Sequence, residues 1–304
     1  MSAADRPAVS VVVPAYNAAR FIERTLATVA AQTFRDFEAV VVDDGSTDGT
    51  QGVVEKFLAA GGLAGRCVRQ ANKKIAGARN AGVREARADL VSFLDHDDLW
   101  HPEKLAAVLE EFRAHPETDL VCHDENVTRD GRVVRVTRNG PWVDRMYERL
   151  LFDGNALSPS AVTVRKARLL EVGGFREDER FNTVEDYDLW MRLARVCRFR
   201  FLDRVLGEYV LVEAAASNKI VYHHANTEAL LRDHFAGFPE PGLALRCRMR
   251  RRLAVVYRSA CRGLLRQGDA AGAGDWARRA LATWPFDPKN AAVAGLWALA
   301  RLSR

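Results

Sequence analysis

Residues 9–13, VSVVV, form an unbroken β-branched run, the pattern of a strand covered on both faces of a sheet. The next stretch, PAYNAARFIERTLATVAAQT, changes to helical spacing and puts Phe21, Ile22, Leu26 and Val29 on one face. FEAVVVDDGSTDGT then predicts a second strand running into turn formers. QGVVEKFLAA predicts a helix, RCVRQ a short strand, KIAGARNAGVREAR a third helix and DLVSFLD a further buried strand. This alternation predicts an α/β fold with a mostly parallel, Rossmann-like sheet flanked by helices and joined by right-handed crossovers.

Past residue 106 the spacing loosens. ETDLVCHDENV and GRVVRVTR predict a strand and a hairpin. SPSAVTVRKARLLEVGGF predicts a strand, a helix and a Gly-Gly turn, and VEDYDLWMRLARV a helix with Val184, Leu189 and Leu193 inward. From about residue 225 the chain is rich in Ala, Leu and Arg and predicts helices. No repeat recurs at a fixed period, although LLRQGDAAGAGDWARRALATWPFDP has the character of one tetratricopeptide-like helix pair. The expected division is an α/β domain over residues 1–222 and a basic helical region over 223–304.

Composition adds little to this picture and charge adds more. The 304 residues are 48% hydrophobic and 28% charged, as in an ordinary globular protein. The net charge of +5 conceals an asymmetry: residues 241–304 hold 13 Lys and Arg against 3 Asp and Glu, so the preceding part is net acidic. A nucleic-acid-binding role is not expected, because the basic stretch lacks interleaved aromatics and a known fold signature. Five cysteines at irregular spacing, with no CxxC, predict reduced thiols and a cytoplasmic setting rather than disulfides or zinc. The N-terminus lacks the basic start of a signal peptide, and the late apolar run AAVAGLWALA is too short to span a bilayer.

The candidate chemistry lies where the predicted strands end, which is where parallel sheets bind ligands. Pro14, Ala15 and Tyr16 follow the first strand, Asp43 and Asp44 the second, and Asp95, His96, Asp97 and Asp98 the fourth. Acids crowded like this repel one another unless something positive offsets them. Asp95 and Asp97 can present oxygens to one hard cation, Mg2+ or Mn2+, shared with substrate phosphates. Asp98 also suits an N-cap of the following helix, with Pro102 in its first turn. Asp43 also suits turn chemistry. Glu185, Asp186 and Asp188 gather at the start of a predicted helix, where carboxylates favour the helix dipole.

VSVVVPAYN, VVDDGSTDGT, ARNAG, FLDHDD and VEDYDLWMRL, in this order and over about residues 8–200, resemble family 2 inverting glycosyltransferases of the GT-A fold. The resemblance implies sugar transfer from a nucleotide diphosphate donor, a UDP- or dTDP-sugar, to an acceptor hydroxyl. It implies a DXD-type motif in which Asp97 binds the metal and Asp95 the donor ribose or the metal shell. Asp44 would accept a hydrogen bond from the base, Pro14, Ala15 and Tyr16 would line the base pocket, and Arg79 would approach the nucleotide. Asp186 would be the catalytic base, Gly174 would lie near the donor sugar or belong to a helix C-cap and turn, and Trp190 would be core or stack on a sugar.

The chain departs from the family pattern at GEYVLVEAAASNK, where Val210 and Glu213 replace the Arg and His of a Tyr-Arg-x-His segment. Glu213 is a substitute metal ligand, or that ligand is absent. This departure leaves open a non-catalytic sugar-nucleotide-binding or scaffold protein on the same fold. The acceptor implied is a saccharide or a lipid-linked one. The five arginines in RCRMRRR at 246–252, next to the apolar LAVVY, suit either a solvated helix face or peripheral contact with an anionic membrane.

Overall fold

The computed structural model describes residues 6–211 and 220–302. Glu213 lies outside them. The described residues divide into two compact units. One comprises the residues up to 147 together with 155–177 and 185–211; the other comprises 148–154, 178–184 and 220–302.

The first unit is built on a single sheet. Its opening half follows the predicted alternation: β1 (Val9–Ala15), α1 (Ile22–Ala30), β2 (Phe37–Asp43), α2 (Thr50–Ala59), β3 (Gly65–Arg69), α3 (Lys74–Glu85) and β4 (Leu90–Phe93). These strands lie side by side as β3-β2-β1-β4, all parallel. Every residue of β1 and β2 is buried, because helices cover both faces. Val9, Val11 and Val13 pack with Ile22, Leu26 and Val29 of α1 on one side. On the other side α3 approaches closely because Gly82 has no Cβ. One built there would lie 2.2 Å from Val12 Cγ1.

The second half of this sheet mixes directions. It contains β5 (Leu99–Trp100), β6 (Leu120–Arg129), β7 (Arg132–Thr137), β8 (Val162–Arg165) and β9 (Phe199–Val210), with α4 (Lys104–Ala114), α6 (Lys166–Glu171) and α7 (Glu185–Leu193) around them; α5 (Met146–Asp153) runs from one unit into the other. The order continues β4-β8-β6-β9-β5, with β7 paired to β6 as the expected hairpin. β8 runs antiparallel to both neighbours, while β6 and β9 are parallel. The halves meet along three residue pairs: Leu90 with Arg165, Val91 with Val164 and Ser92 with Thr163. Under this seam Lys104 is fully buried. Its Nζ donates to Ser92 Oγ and to Thr163 Oγ1 (3.1 Å), and lies 3.7 Å from the centroid of the Trp100 ring, while burial pushes its proton affinity well below that of a free lysine.

Two buried ionisable groups predict how the fold responds to acid. Burial alone would raise Glu38, but hydrogen bonds from Ser10, the Arg87 N–H and the Arg66 and Arg87 guanidiniums bring it to about 2 from 4.5. His123 is pushed down to about 3 from 6.5, by burial first and then by Lys104. In both cases the unfolded chain takes up its proton at higher pH than the folded one, so stability is lost as pH drops through these windows. Carboxylates with raised values work in the opposite direction, so the comparison must isolate one group. In urea unfolding, His123→Gln should lose less stability than the parent chain between pH 6.5 and pH 4. Equal losses in the two proteins would show that His123 is not held neutral.

The second unit carries α8 (Ile220–Ala236), α9 (Leu243–Arg266), α10 (Ala270–Thr283) and α11 (Pro288–Leu302). The apolar stretch after the arginine run faces this unit's interior: Leu253, Ala254, Val256 and Tyr257 are buried. Arg252 and Arg258 are buried as well, and Arg258 bridges Asp287 (2.6 Å) and Asn290 (2.8 Å). Arg248 pairs with Glu148 at 2.9 Å. LAVVY thus packs inside this unit, and the cationic side chains of α9 are partly tied down. No helix among the described residues is long and apolar enough to cross a membrane, and all five cysteines are free thiols.

Candidate active site

Strand direction brings the candidate residues to the same edge of the sheet. The carboxyl ends of β1, β2 and β4 lead into Tyr16, Asp44 and Asp95. Pro14 and Ala15 are buried as the end of β1, while Tyr16 is 47% exposed. The Asp44 N–H donates to Ala15 O at 2.8 Å, which ties the first two tips together. Asp44 Oδ1 accepts from Gln70 Nε2 (2.7 Å) and Lys73 N (2.9 Å), so this carboxylate is already oriented. Asp43 closes the turn instead: its Oδ1 accepts from Ser46 N at 3.0 Å.

Arg79 is the hub of the site. Carried on α3 and only 1% exposed, its guanidinium donates from one nitrogen to both Asp95 oxygens (2.7 and 3.0 Å). The other nitrogen donates to Glu185 Oε1 (2.7 Å). The guanidinium carbon stands 5.3 Å from the Phe175 ring centroid, and Phe175 packs edge-on against Phe93. Arg79 therefore links the end of β4 to the start of α7. These pairings leave little of it for a nucleotide, which differs from the reading drawn from the resemblance.

The negative charge here exceeds the positive. Burial raises Asp97, and repulsion from Asp95 adds to this while His96 opposes it. Burial also raises Asp186, opposed by Arg79 and reinforced by Asp95. Glu185 is raised by burial against the pull of Arg79, with Asp186 adding repulsion. One guanidinium serves several carboxylates, so a raised value for Glu185 follows despite its 2.7 Å contact. Asp97 is half-buried, and among the described residues neither an ion pair nor a side-chain hydrogen bond reaches its carboxylate. Asp186 is also half-buried, with Asn155 Nδ2 at 3.4 Å.

Several residues turn out to have structural work. Asp98 does not cap α4, which starts at Lys104; it is 1% exposed and accepts from Ser160 Oγ and Val210 N. Gly173 and Gly174, both at positive φ, end α6 with Gly174 N donating to Leu169 O (2.8 Å) and Gly173 N to Leu170 O (3.1 Å). That is a Schellman cap. Trp190 is wholly buried beside Phe175, which leaves no face for a sugar. Asp188 is buried between Arg176 and Arg192. Sequence reasoning passed over Asn155, Ser160 and Gln70, whose contacts join residues far apart in the chain; no local pattern marks them.

The model of the family described as glycosyl transferase family 2 matches residues 10–163, about half of the chain. This chain belongs to that family. A chondroitin synthase of Escherichia coli is 30% identical over 67% of this chain and 29% of its own length. A hyaluronan synthase of Pasteurella multocida is 32% identical over 67% of this chain and 20% of its own length. The chain thus spans less than a third of either synthase. Among solved structures, TarS of S. aureus in complex with UDP-GlcNAc aligns with a TM-score of 0.63 at 20% identity, covering 97% of this chain and 92% of that one. A mannosyltransferase of Pyrobaculum calidifontis in complex with GDP-Man and Mn2+ aligns at 0.60 and 20% identity, covering 98% and 86%. These likenesses establish a GT-A fold for the family 2 chain.

Proposed function

We propose that this family 2 chain is an inverting glycosyltransferase that moves a sugar from a UDP- or dTDP-sugar to an acceptor hydroxyl, in polysaccharide, cell-envelope or glycoconjugate synthesis. The observation that carries this reading is the gathering of Asp95, Glu185 and Asp186 around one guanidinium at the carboxyl edge of the sheet, with Asp97 beside Asp95. The relatives named as chondroitin and hyaluronan synthases, and the solved neighbours holding UDP-GlcNAc and GDP-Man, support the class of donor and product.

Each residue then has a task. Pro14, Ala15 and Tyr16 border the base, and Asp44 accepts its imide N–H. A carboxylate already held by Gln70 and Lys73 suits that task, since an unpaired buried donor costs about 1–3 kcal/mol. Asp186 takes the proton from the acceptor hydroxyl as it attacks the anomeric carbon from the face opposite the diphosphate. Its raised affinity for protons strengthens it as a base. A single displacement with one base inverts the anomeric centre.

A divalent cation, manganese or magnesium, fits the surplus charge at Asp95 and Asp97, and when bound would neutralise the departing diphosphate. Among the described residues no group of three His, Cys, Asp or Glu side chains is placed to hold a metal unaided. The phosphate oxygens would thus complete the ligand set. Exposed Arg251, Arg262 and Arg266 on one side of α9 would favour acceptors at an anionic surface.

The test is thermal unfolding with nucleotide diphosphates and Mn2+. UDP or dTDP with Mn2+ should raise the melting temperature by several degrees, and Asp97→Ala should abolish most of that shift. Full stabilisation of the variant would remove Asp97 from the metal site. Release of nucleotide from UDP-sugars separates turnover from a binding or scaffold role.

A further inference from the structure

Asp95 and Asp97 sit on a four-residue stretch that must hold its shape against the repulsion of its own side chains. The backbone of this stretch is tethered from several sides. Thr25 Oγ1 donates to His96 O (2.8 Å) and Asp98 O (3.0 Å), and Asp98 N donates to Asp95 O (3.1 Å). The remaining tether comes from Ser160, in the turn that leads into β8. Its Oγ accepts from Asp95 N (3.1 Å) and donates to Asp98 Oδ2 (2.6 Å). Asp98 Oδ1 in turn accepts from Val210 N (2.9 Å), the last residue of β9. Ser160 is itself fixed, since its carbonyl accepts from Trp100 Nε1 at 2.8 Å. Ser160 and Asp98 are each 1% exposed, so neither touches a ligand directly.

We propose, on the reading above, that Ser160 and Asp98 are a positioning pair for donor binding. Together they fix the Asp95–Asp97 backbone and join it to the end of β9, so that Asp95 and Asp97 face the diphosphate in one arrangement. The pairing uses a hydroxyl in both directions, its one proton given to Asp98 and a hydrogen bond accepted from Asp95 N. Alanine at 160 can do neither, and it leaves a buried amide and a buried carboxylate oxygen without partners. Asparagine at 98 would turn an amide N–H towards the serine or lose the link to Val210. Neither β8 nor β9 neighbours residue 95 in the chain, so the pair makes the donor site depend on strands from the other half of the sheet.

Three measurements on the full chain test this, with Ser160→Ala and Asp98→Asn. Amide hydrogen exchange should quicken in peptides covering 94–99 and 208–211 in both variants. Binding of Mn2+ in the presence of UDP, followed by the electron-spin signal of free Mn2+, should weaken by about 10–100-fold, the usual cost of losing an outer-shell partner. The melting temperature reports separately whether the variants are merely less stable. Unchanged exchange in the 94–99 peptide overturns the proposal. So does unchanged Mn2+ affinity in a folded variant, whatever its melting temperature. If Ser160→Ala fails to fold, Asp98→Asn carries the same readouts. If the parent chain shows no Mn2+ uptake with UDP, the donor reading fails, and the exchange data alone decide whether the pair holds the loop.

Discussion

Asp186→Asn should leave nucleotide binding within about twofold of the parent and lower kcat by two to four orders of magnitude, the range a positioned base supplies. The amide keeps the volume of the side chain and its contact with Asn155, so the fold and the neighbouring Glu185–Arg79 pair have no cause to change. What is lost is the only half-buried carboxylate at the start of α7, the others there being sequestered: Glu185 on Arg79, and Asp188 between Arg176 and Arg192. Calorimetric titration with UDP and Mn2+ gives the binding term. Nucleotide release from a UDP-sugar, with water or a saccharide as acceptor, gives the rate. A variant that turns over at the parental rate would move the base to another residue, and one that fails to bind nucleotide would make Asp186 a donor contact.

Arg79→Met should cost about 3–5 kcal/mol of stability at pH 7, as expected when one partner of a buried ion pair is removed and the other charge remains. The methionine preserves much of the apolar contact with Phe175. The loss therefore reports on Asp95 and Glu185, which would face each other without compensation. Carboxylates so stranded bind protons more readily in the folded state than in the unfolded one. The deficit should consequently shrink as pH is lowered from 7 to 5. Urea unfolding at the two pH values measures it. Adding Glu185→Leu should restore much of the stability while leaving transfer impaired, which separates support of the fold from service to the reaction. A deficit below about 1 kcal/mol at pH 7 would show that Arg79 does not hold the site together.

What could be read from the chain and what could not follow from distance along it. Strands β1, β2 and β4 were legible because burial on both faces demands apolar runs such as VSVVV and FEAVVV, a signal contained within a few residues. The acidic tips were legible for the same reason, since three carboxylates in four residues are conspicuous without any fold. The job of Arg79 was not, because its partner Glu185 stands 106 positions away. Asp98 looked like a helix cap, and the helix starts at Lys104. Its true partners, Ser160 and Val210, come from β8 and β9, whose order in the sheet no local pattern encodes. Trp190 read as core before a sugar platform, and packing against Phe175 bears out the core reading. The mixed directions of β8 and β6 likewise depend on which strands meet.

The polar staple beneath the seam of the sheet has a bearing on how the molecule finds its alignment. Three residue pairs are a short run on which to fix two half-sheets, and apolar side chains slide past one another with little penalty. Ser92 and Thr163 do not, because their hydroxyls lie 2.7 Å apart with the Lys104 Nζ beneath them. Displacing one strand by a single position would turn a hydroxyl to the opposite side and strand a buried amine among aliphatic groups. A shifted pairing would therefore lose the contacts that Lys104 makes with both strands, a penalty that aliphatic side chains alone would not impose.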